Sequence, residues 1–126
     1  MGVTLVFKKY VKNDIAFIVG EAVFIDGEVK AAAFDTLSDL INLAIFSYGD
    51  LRIKVEDKVS SPVLNVAFGS VDHKTEEFHE KGAFPELTAN GTAELKVANL
   101  TGRMAINATL AGGTFKVTIT GEFKRR

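Results

Sequence analysis

The residues of this sequence with the most chemical potential are two histidines and their acidic neighbours. His73 and His79 are its only histidines, and they lie within the segment HKTEEFHE, which also carries three glutamates. Imidazole and carboxylate groups together bind zinc, iron or manganese in proteins. His73, Glu77 and His79 are therefore the candidate ligands of a metal site, or the groups of an acid–base enzyme.

The spacing of these residues does not match a known metal motif. On a helix, the ring of His79 would lie about 120° from that of His73, so the two would not converge. The segment also lacks the HExxH zinc pattern. The alternative is a solvated acidic loop, because residues 71–87 show no strand or helix period and form the longest irregular stretch.

Other catalytic signatures are missing from the sequence. No serine lies in a GxSxG elbow, and no glycine-rich segment leads into a helix as a phosphate-binding loop requires. No motif in the sequence calls for a cofactor, and we expect none. The sequence therefore favours a non-enzymatic protein.

Size and composition narrow the class of protein further. A chain of 126 residues, 47% hydrophobic and 25% charged, is predicted to form one domain over residues 1–126. A net charge of −1 argues against binding to nucleic acid or to an anionic membrane surface. There is no cysteine, no apolar run of about 18 residues and no signal-peptide pattern, so a cytoplasmic location without a membrane partner is expected.

Most of the chain has the alternating period of β-strands. About eight short strands are predicted, and glycine or asparagine marks the turns at Asn13–Asp14, Asp26–Gly27 and Gly112–Gly113. We interpret each of these pairs as a hairpin turn. The last third, from Thr92 to Lys124, is predicted to be a three-stranded antiparallel meander.

One segment, DTLSDLINLAIFSYG, has the period of a helix. Thr36 and Asp39 form an acidic variant of a capping box, and Gly49 follows the last apolar residue. The apolar side chains recur every three or four residues, at Leu37, Leu40, Ile41, Ala44, Ile45 and Tyr48. The predicted fold is therefore mainly β (α+β): an antiparallel β-barrel or two-sheet sandwich, with a single helix at about 36–48 packed on it or plugging one end.

Two apolar residues lie away from the sheet-facing side of this predicted helix. Phe46 falls about 180° from Leu37, and Leu43 falls about 120° from it. Either a loop of the same chain covers them, or they form an interface with another subunit or a ligand. Leu43 and Phe46 are therefore the candidate interface of a homo-oligomer.

Phenylalanine occurs about once in each predicted strand. The rings of Phe17, Phe24, Phe68 and Phe115 would either fill a packed core or line a cavity that binds a small apolar ligand. Three functions follow from the sequence: a binding or assembly module that self-associates, which we prefer; a small barrel that carries an apolar molecule; and a metal-dependent or acid–base enzyme.

Overall fold

Antiparallel β-strands dominate the structure of this protein. The structure is a computed structural model that describes residues 3–31 and 35–125, with the backbone alone for residues 35–37. Its strands are β1 (Thr4–Lys12), β2 (Ile15–Lys30), β3 (Asp35–Leu37), β4 (Tyr48–Val71), β5 (Phe78–Ala83), β6 (Gly91–Ala98) and β7 (Met104–Lys124). Every pairing between them is antiparallel, so the predicted mainly-β class is confirmed.

Two long strands, β4 and β7, form the centre of the fold. They pair from Tyr48 opposite Lys124 to Ser70 opposite Met104. The register shifts twice, between Glu56 and Val63 of β4, and such bulges bend a strand pair sharply. Because both strands continue through the bend, the sheet folds over on itself.

The bend divides the curled sheet into two half-sheets. The first has the strand order β1-β2-β7-β4-β6, and the second has the order β3-β7-β4-β5. Phe68 of the second half-sheet stacks on Phe123 of the first, with ring centroids 6.0 Å apart, and meets Phe24 edge-on at 6.2 Å. The hydrophobic core therefore lies between the two halves of this half-barrel.

The helix predicted over residues 36–48 is wrong. The chain is extended after β3, and Ile41 forms an isolated bridge with Met104. Peptide N–H groups of this segment donate to carbonyl oxygens of β7 and of the turn before it: Ser38 to Ile106, Ile41 to Met104, and Leu43 to Thr101. These tertiary hydrogen bonds override the local helical pattern.

No helix that could span a membrane occurs among residues 3–31 and 35–125.

Two of the three predicted hairpin turns are instead points where a strand bends. β2 continues through Asp26–Gly27, where its register against β7 shifts, and β7 continues through Gly112–Gly113. Gly112 has a φ of +85°, and a Cβ at Gly112 or Gly113 would collide with the backbone of β4. Glycine at these positions therefore lets two strands pass close to each other and does not reverse the chain. The predicted three-stranded meander is also wrong, because β6 pairs with β4.

The segment predicted as an irregular loop, residues 71–87, is mostly a hairpin. A tight turn over residues 72–77 connects β4 to β5. The carboxylate of Asp72 accepts hydrogen bonds from the backbone N–H of Thr75 and of Lys74, each at 2.8 Å, and these bonds lower the pKa of Asp72. Local side-chain hydrogen bonds of this kind stabilise turns without any hydrophobic period, so the sequence pattern gives no sign of them.

Ser38 supports the bend of the chain against β7, and its replacement tests this role. Its Oγ accepts a hydrogen bond from the buried N–H of Ile106 at 3.0 Å, and Ser38 is only 4% exposed. In Ser38→Ala this N–H loses its partner, and we expect urea unfolding to show a loss of about 1–3 kcal/mol. Ser61→Ala, at an exposed serine, is the control and should change stability by less than about 0.5 kcal/mol; equal losses would contradict the role.

Candidate interaction surface

The end of the β1–β2 hairpin extends beyond the rest of the sheet. β2 pairs with β7 only from Val19, which lies opposite Lys124. Residues 9–18 therefore form a two-stranded projection, here called the arm. Its strands are connected by the predicted Asn13–Asp14 turn, whose two residues have φ values of 51° and 61°, as expected for a type I′ hairpin.

The arm exposes apolar side chains on both of its faces. Tyr10, Ile15 and Phe17 lie on one face, and the rings of Tyr10 and Phe17 stack 5.8 Å apart. Val11 and Ile18 lie on the other face, by the alternation of side chains along a strand. Val11 and Ile15 are each 67% exposed, and Ile18 is 49% exposed, so the arm is an uncovered apolar ribbon.

Aromatic contacts attach the base of the arm to the core. The ring of Phe46 lies 5.8 Å from that of Phe7 and 6.3 Å from that of Phe123. Phe46 also covers Gly20, where an added Cβ would come within 2.6 Å of the ring. Only glycine leaves room for this ring, so the contact fixes the direction in which the arm leaves the sheet.

An open apolar recess of about 440 Å³ lies beside the arm. Its walls are the β2 part of the arm and the turn before β4, together with one cation: Ile15, Ala16, Phe17, Ile18, Ile45, Phe46 and Arg125. Ile45 is 50% exposed. The recess and the arm form one continuous apolar surface.

A polar cluster lies on the outer face near the base of the arm. The carboxylate of Glu21 accepts a hydrogen bond from the hydroxyl of Tyr10 at 2.8 Å and pairs with the ammonium of Lys8 at 2.9 Å. The bonds from Lys8 and from Tyr10 lower the pKa of Glu21. The bond to Glu21 raises the pKa of Tyr10 and also that of Lys8, so this cluster holds the side chain of Tyr10 across the two strands.

The two candidate interface residues are buried in the structure. Leu43 is 0% exposed and Phe46 is 4% exposed. The path of residues 38–47, which ends in a turn closed by the Phe46 N–H bond to the Leu43 carbonyl, directs both side chains towards the core. Leu40 and Ile45, which the helical pattern places inside, lie at the surface. Leu43 is therefore part of the core, Phe46 contributes only to the wall of the recess, and the exposed apolar surface lies at the arm.

The four candidate ligand-binding phenylalanines do not come together. Phe24, Phe68 and Phe115 are each 0% exposed, and Phe24 and Phe68 pack against each other in the core. Phe17 is instead on the arm and 40% exposed. Only Phe17 lines the recess described above.

The candidate metal ligands lie in and after the turn between β4 and β5. His73 and Glu77 are in the turn, and His79 is in β5 opposite Ser70. Within residues 3–31 and 35–125, no three His, Asp or Glu side chains are close enough to hold a metal ion. The turn therefore presents these side chains to solvent separately.

Sequence reasoning missed the arm, although a signal for it exists. The segment IAFIVG is apolar at nearly every position, and such a strand is usually covered on both faces. In this chain its first half has no covering element among the described residues. The signal was the length of the apolar run next to the Asn13–Asp14 turn, which requires an apolar surface at a hairpin tip.

No family model matches the sequence, and no curated protein matches it. Several solved structures share its fold. The SPBc2 prophage-derived protein YomS has 15% identity and a TM-score of 0.51, with 84% of this chain and 92% of that chain covered. A protein of infectious bursal disease virus, Gx strain, has 9% identity and a TM-score of 0.53, over 96% of this chain and 38% of that one.

A third structure is the Clostridium thermocellum xylanase 10B, with its CBM22-1 and GH10 modules complexed with xylohexaose. It has 11% identity and a TM-score of 0.51, and the match covers 98% of this chain and 24% of that chain. At these identities the likeness shows the fold alone.

The cluster around Glu21 predicts a pH dependence of the arm. A lowered pKa means that Glu21 contributes stability above its unfolded-state pKa and that this contribution is lost as the pH falls through its folded-state pKa. We therefore expect the amide protons of residues 9–18 to lose exchange protection as the pH falls through the lowered folded-state pKa of Glu21. NMR titration should also show that Lys8→Met raises the pKa of Glu21 and that Tyr10→Phe raises it less.

The control for this titration is Lys54→Met. Lys54 forms a separate ion pair with Glu56 at 3.8 Å, so its loss should leave the pKa of Glu21 unchanged. An unchanged pKa of Glu21 in Lys8→Met would show that the ion pair does not form in solution.

Proposed function

We propose that this protein is a non-enzymatic assembly module that self-associates through its arm. The observation that supports the proposal is the arm itself, a two-stranded ribbon with exposed apolar side chains on both faces. A hairpin of two strands is marginally stable in water and usually needs a third element to pack against. In a complex, a second molecule supplies that element.

The distribution of exposed apolar residues supports the same location. The large hydrophobic side chains exposed in the described chain are concentrated in and next to the arm: Val6, Phe7, Tyr10, Val11, Ile15, Phe17 and Ile18. Exposed hydrophobic residues that occur singly are ordinary, whereas a contiguous patch marks an interaction site. The patch continues into the recess that contains Ile45.

The size of the arm favours a second copy of this chain as the partner. At about 3.3 Å per residue, each strand of the arm is about 13 Å long, so the two faces offer on the order of 250 Å² of flat area. A stable interface buries about 800 Å² on each partner. One docked arm falls well short of this area, whereas two arms docked reciprocally double the area to about 500 Å², and the exposed Val6 and Phe7 next to the arm add to it.

The recess beside the arm is a suitable receptor for the arm of the second copy. It is apolar along the arm and around Phe46, and Arg125 lies at its wall. The tip of the incoming arm carries Asp14 in its turn, so the recess provides a cation for that carboxylate. Each copy would contribute one arm and one recess, which gives a closed two-fold dimer.

Charge substitutions on the arm test self-association directly. We expect the wild-type protein to sediment as a dimer at micromolar concentration, and Ile15→Asp with Ile18→Asp to weaken dimerisation by more than about tenfold. The reason is that burial of an unpaired carboxylate costs several kcal/mol. Ile15 and Ile18 lie on opposite faces of the arm, so the double variant affects either docking face.

The matched control is Val29→Asp. Val29 is also in β2 and is 71% exposed, but it lies far along the strand from the arm. This variant should remain a dimer in the same sedimentation experiment. A monomeric wild type, or equal effects of the arm and control variants, would exclude the proposal.

The recess also supports a second candidate function, the binding of a small apolar molecule. Its volume of about 440 Å³ lies in the range of small-ligand sites, about 300–1,000 Å³. Native mass spectrometry of freshly purified protein would then show an added mass on a monomer. Ile45→Asp should remove that mass, whereas a dimer without added mass supports self-association alone.

A further inference from the structure

We propose that the free edge of β1 binds an extended acidic segment of a partner protein as an added β-strand. This goes beyond self-association, because it uses the backbone edge of the hairpin and not the side chains on its faces. The inference depends on three features of β1: its position in the sheet, its regular pairing and its charge.

β1 is a terminal strand with an unusually regular geometry. It is the first strand in the order β1-β2-β7-β4-β5, and among the described residues it pairs only with β2. Its register runs without a shift from Thr4 opposite Val23 to Lys12 opposite Ile15. A long edge strand without a bulge presents unpaired N–H and C=O groups in the arrangement that an incoming strand requires.

The other terminal strand of this order is less suitable. β5 has 6 residues against 9 in β1, and its pairing with β4 contains a register shift at Phe68/Gly69. Short and bulged edges resist strand addition. Geometry therefore distinguishes β1 from β5 as the accepting edge. Charge distinguishes it from the regular terminal strand β6, which carries Glu94 as well as Lys96.

The charge of β1 selects the kind of strand that can add. β1 contains Lys8, Lys9 and Lys12 and no acidic residue. Lys8 pairs with Glu21, whereas Lys9 and Lys12 form no ion pair with the residues that the structure describes. Side chains alternate along a strand, so Lys12 lies on one face of β1 and Lys9 on the other. A strand with carboxylates at alternate positions would pair with the ammonium of Lys12, or with that of Lys9 when it adds with its other face.

The same lysines prevent β1 from pairing with the β1 edge of a second copy. Two such strands would bring six lysines onto one ladder, and like charges on adjacent strands are destabilising. This repulsion leaves the faces of the arm available for self-association while keeping its edge for a partner of opposite charge. Specificity of this kind comes from repulsion of the wrong partner as much as from attraction of the right one.

Residues 72–80 are an acidic segment of this chain that could also add to β1 as a strand, but they already form contacts within their own molecule. Asp72 accepts hydrogen bonds from the backbone of its own turn, and residues 78–83 already pair with β4. A second copy would have to break these contacts before it could donate the segment. A separate partner with an unstructured acidic segment has no such cost.

Synthetic peptides test the proposal by fluorescence anisotropy. The probe is a labelled eight-residue peptide of alternating glutamate and valine; one matched peptide has lysine in place of glutamate, and another has N-methyl groups on alternate backbone nitrogens. We expect the acidic peptide to bind at least tenfold more tightly than the lysine peptide, and its affinity to fall with added salt. N-methylation on the pairing edge should abolish binding, because it removes ladder hydrogen bonds.

Variants of the protein assign the binding to β1. Lys9→Glu with Lys12→Glu should reverse the preference between the acidic and lysine peptides, whereas Lys58→Glu, at an exposed lysine in the bend of β4, should leave it unchanged. Ile45→Asp changes the recess and leaves both strands of the arm intact, so this variant should keep peptide binding even as a monomer. Failure of self-association and failure of strand addition are thereby distinguished.

Several outcomes would overturn the proposal. One is the absence of binding by the acidic peptide, and another is equal binding of the acidic and lysine peptides. Unchanged binding after N-methylation would show that the contact is not strand addition. Tighter binding of a peptide with the sequence of residues 72–83 than of the designed peptide would identify a second copy of this chain as the occupant.

Discussion

The continuous pairing of β4 with β7 is the interaction on which the rest of the structure depends. Both strands pass through the bend together, so one ladder supplies the central strands of both half-sheets. The passage is possible because Gly112 and Gly113 have no side chain to collide with β4. Every other strand except β1 pairs with β4 or β7, so the positions of β2, of Phe46 and finally of the arm follow from this ladder.

The arm exists because β2 and β7 differ in where they stop. β7 ends beside Val19 of β2, and β1 and β2 continue together as a pair beyond that point. The same residue types that fill the core between Val19 and Ile25 of β2 are exposed at residues 15–18, since no strand or opposite half-sheet of the described chain covers them there. The exposed apolar surface of the arm is therefore a continuation of the core-forming strands β1 and β2 beyond the point where the second half-sheet packs on them.

The sequence was informative about pairing geometry and poor at locating chain reversals. Alternation predicted the antiparallel β class, and Asn13–Asp14 correctly predicted a hairpin, because two adjacent positive φ values suit little else. Asp26–Gly27 and Gly112–Gly113 are also pairs that tolerate a positive φ, but a bulge uses a positive φ as well as a hairpin turn does. The helical spacing before β4 was misleading, since Ser38, Ile41 and Leu43 obtain their hydrogen bonds from partners more than 55 residues away. The exposure of the arm depends on where β7 ends, which no local pattern encodes.

The order of the strands along the chain has a consequence for synthesis and folding. The β1–β2 hairpin is local and can form in about 1–10 µs, whereas the pairing of Tyr48 with Lys124 must wait until β7 has been made. Non-local strand pairing is slow. A nascent chain therefore exposes an apolar hairpin before the sheet that anchors it exists. Lys8, Lys9 and Lys12 then act as gatekeepers during translation, since their mutual repulsion keeps neighbouring nascent chains from joining edge to edge.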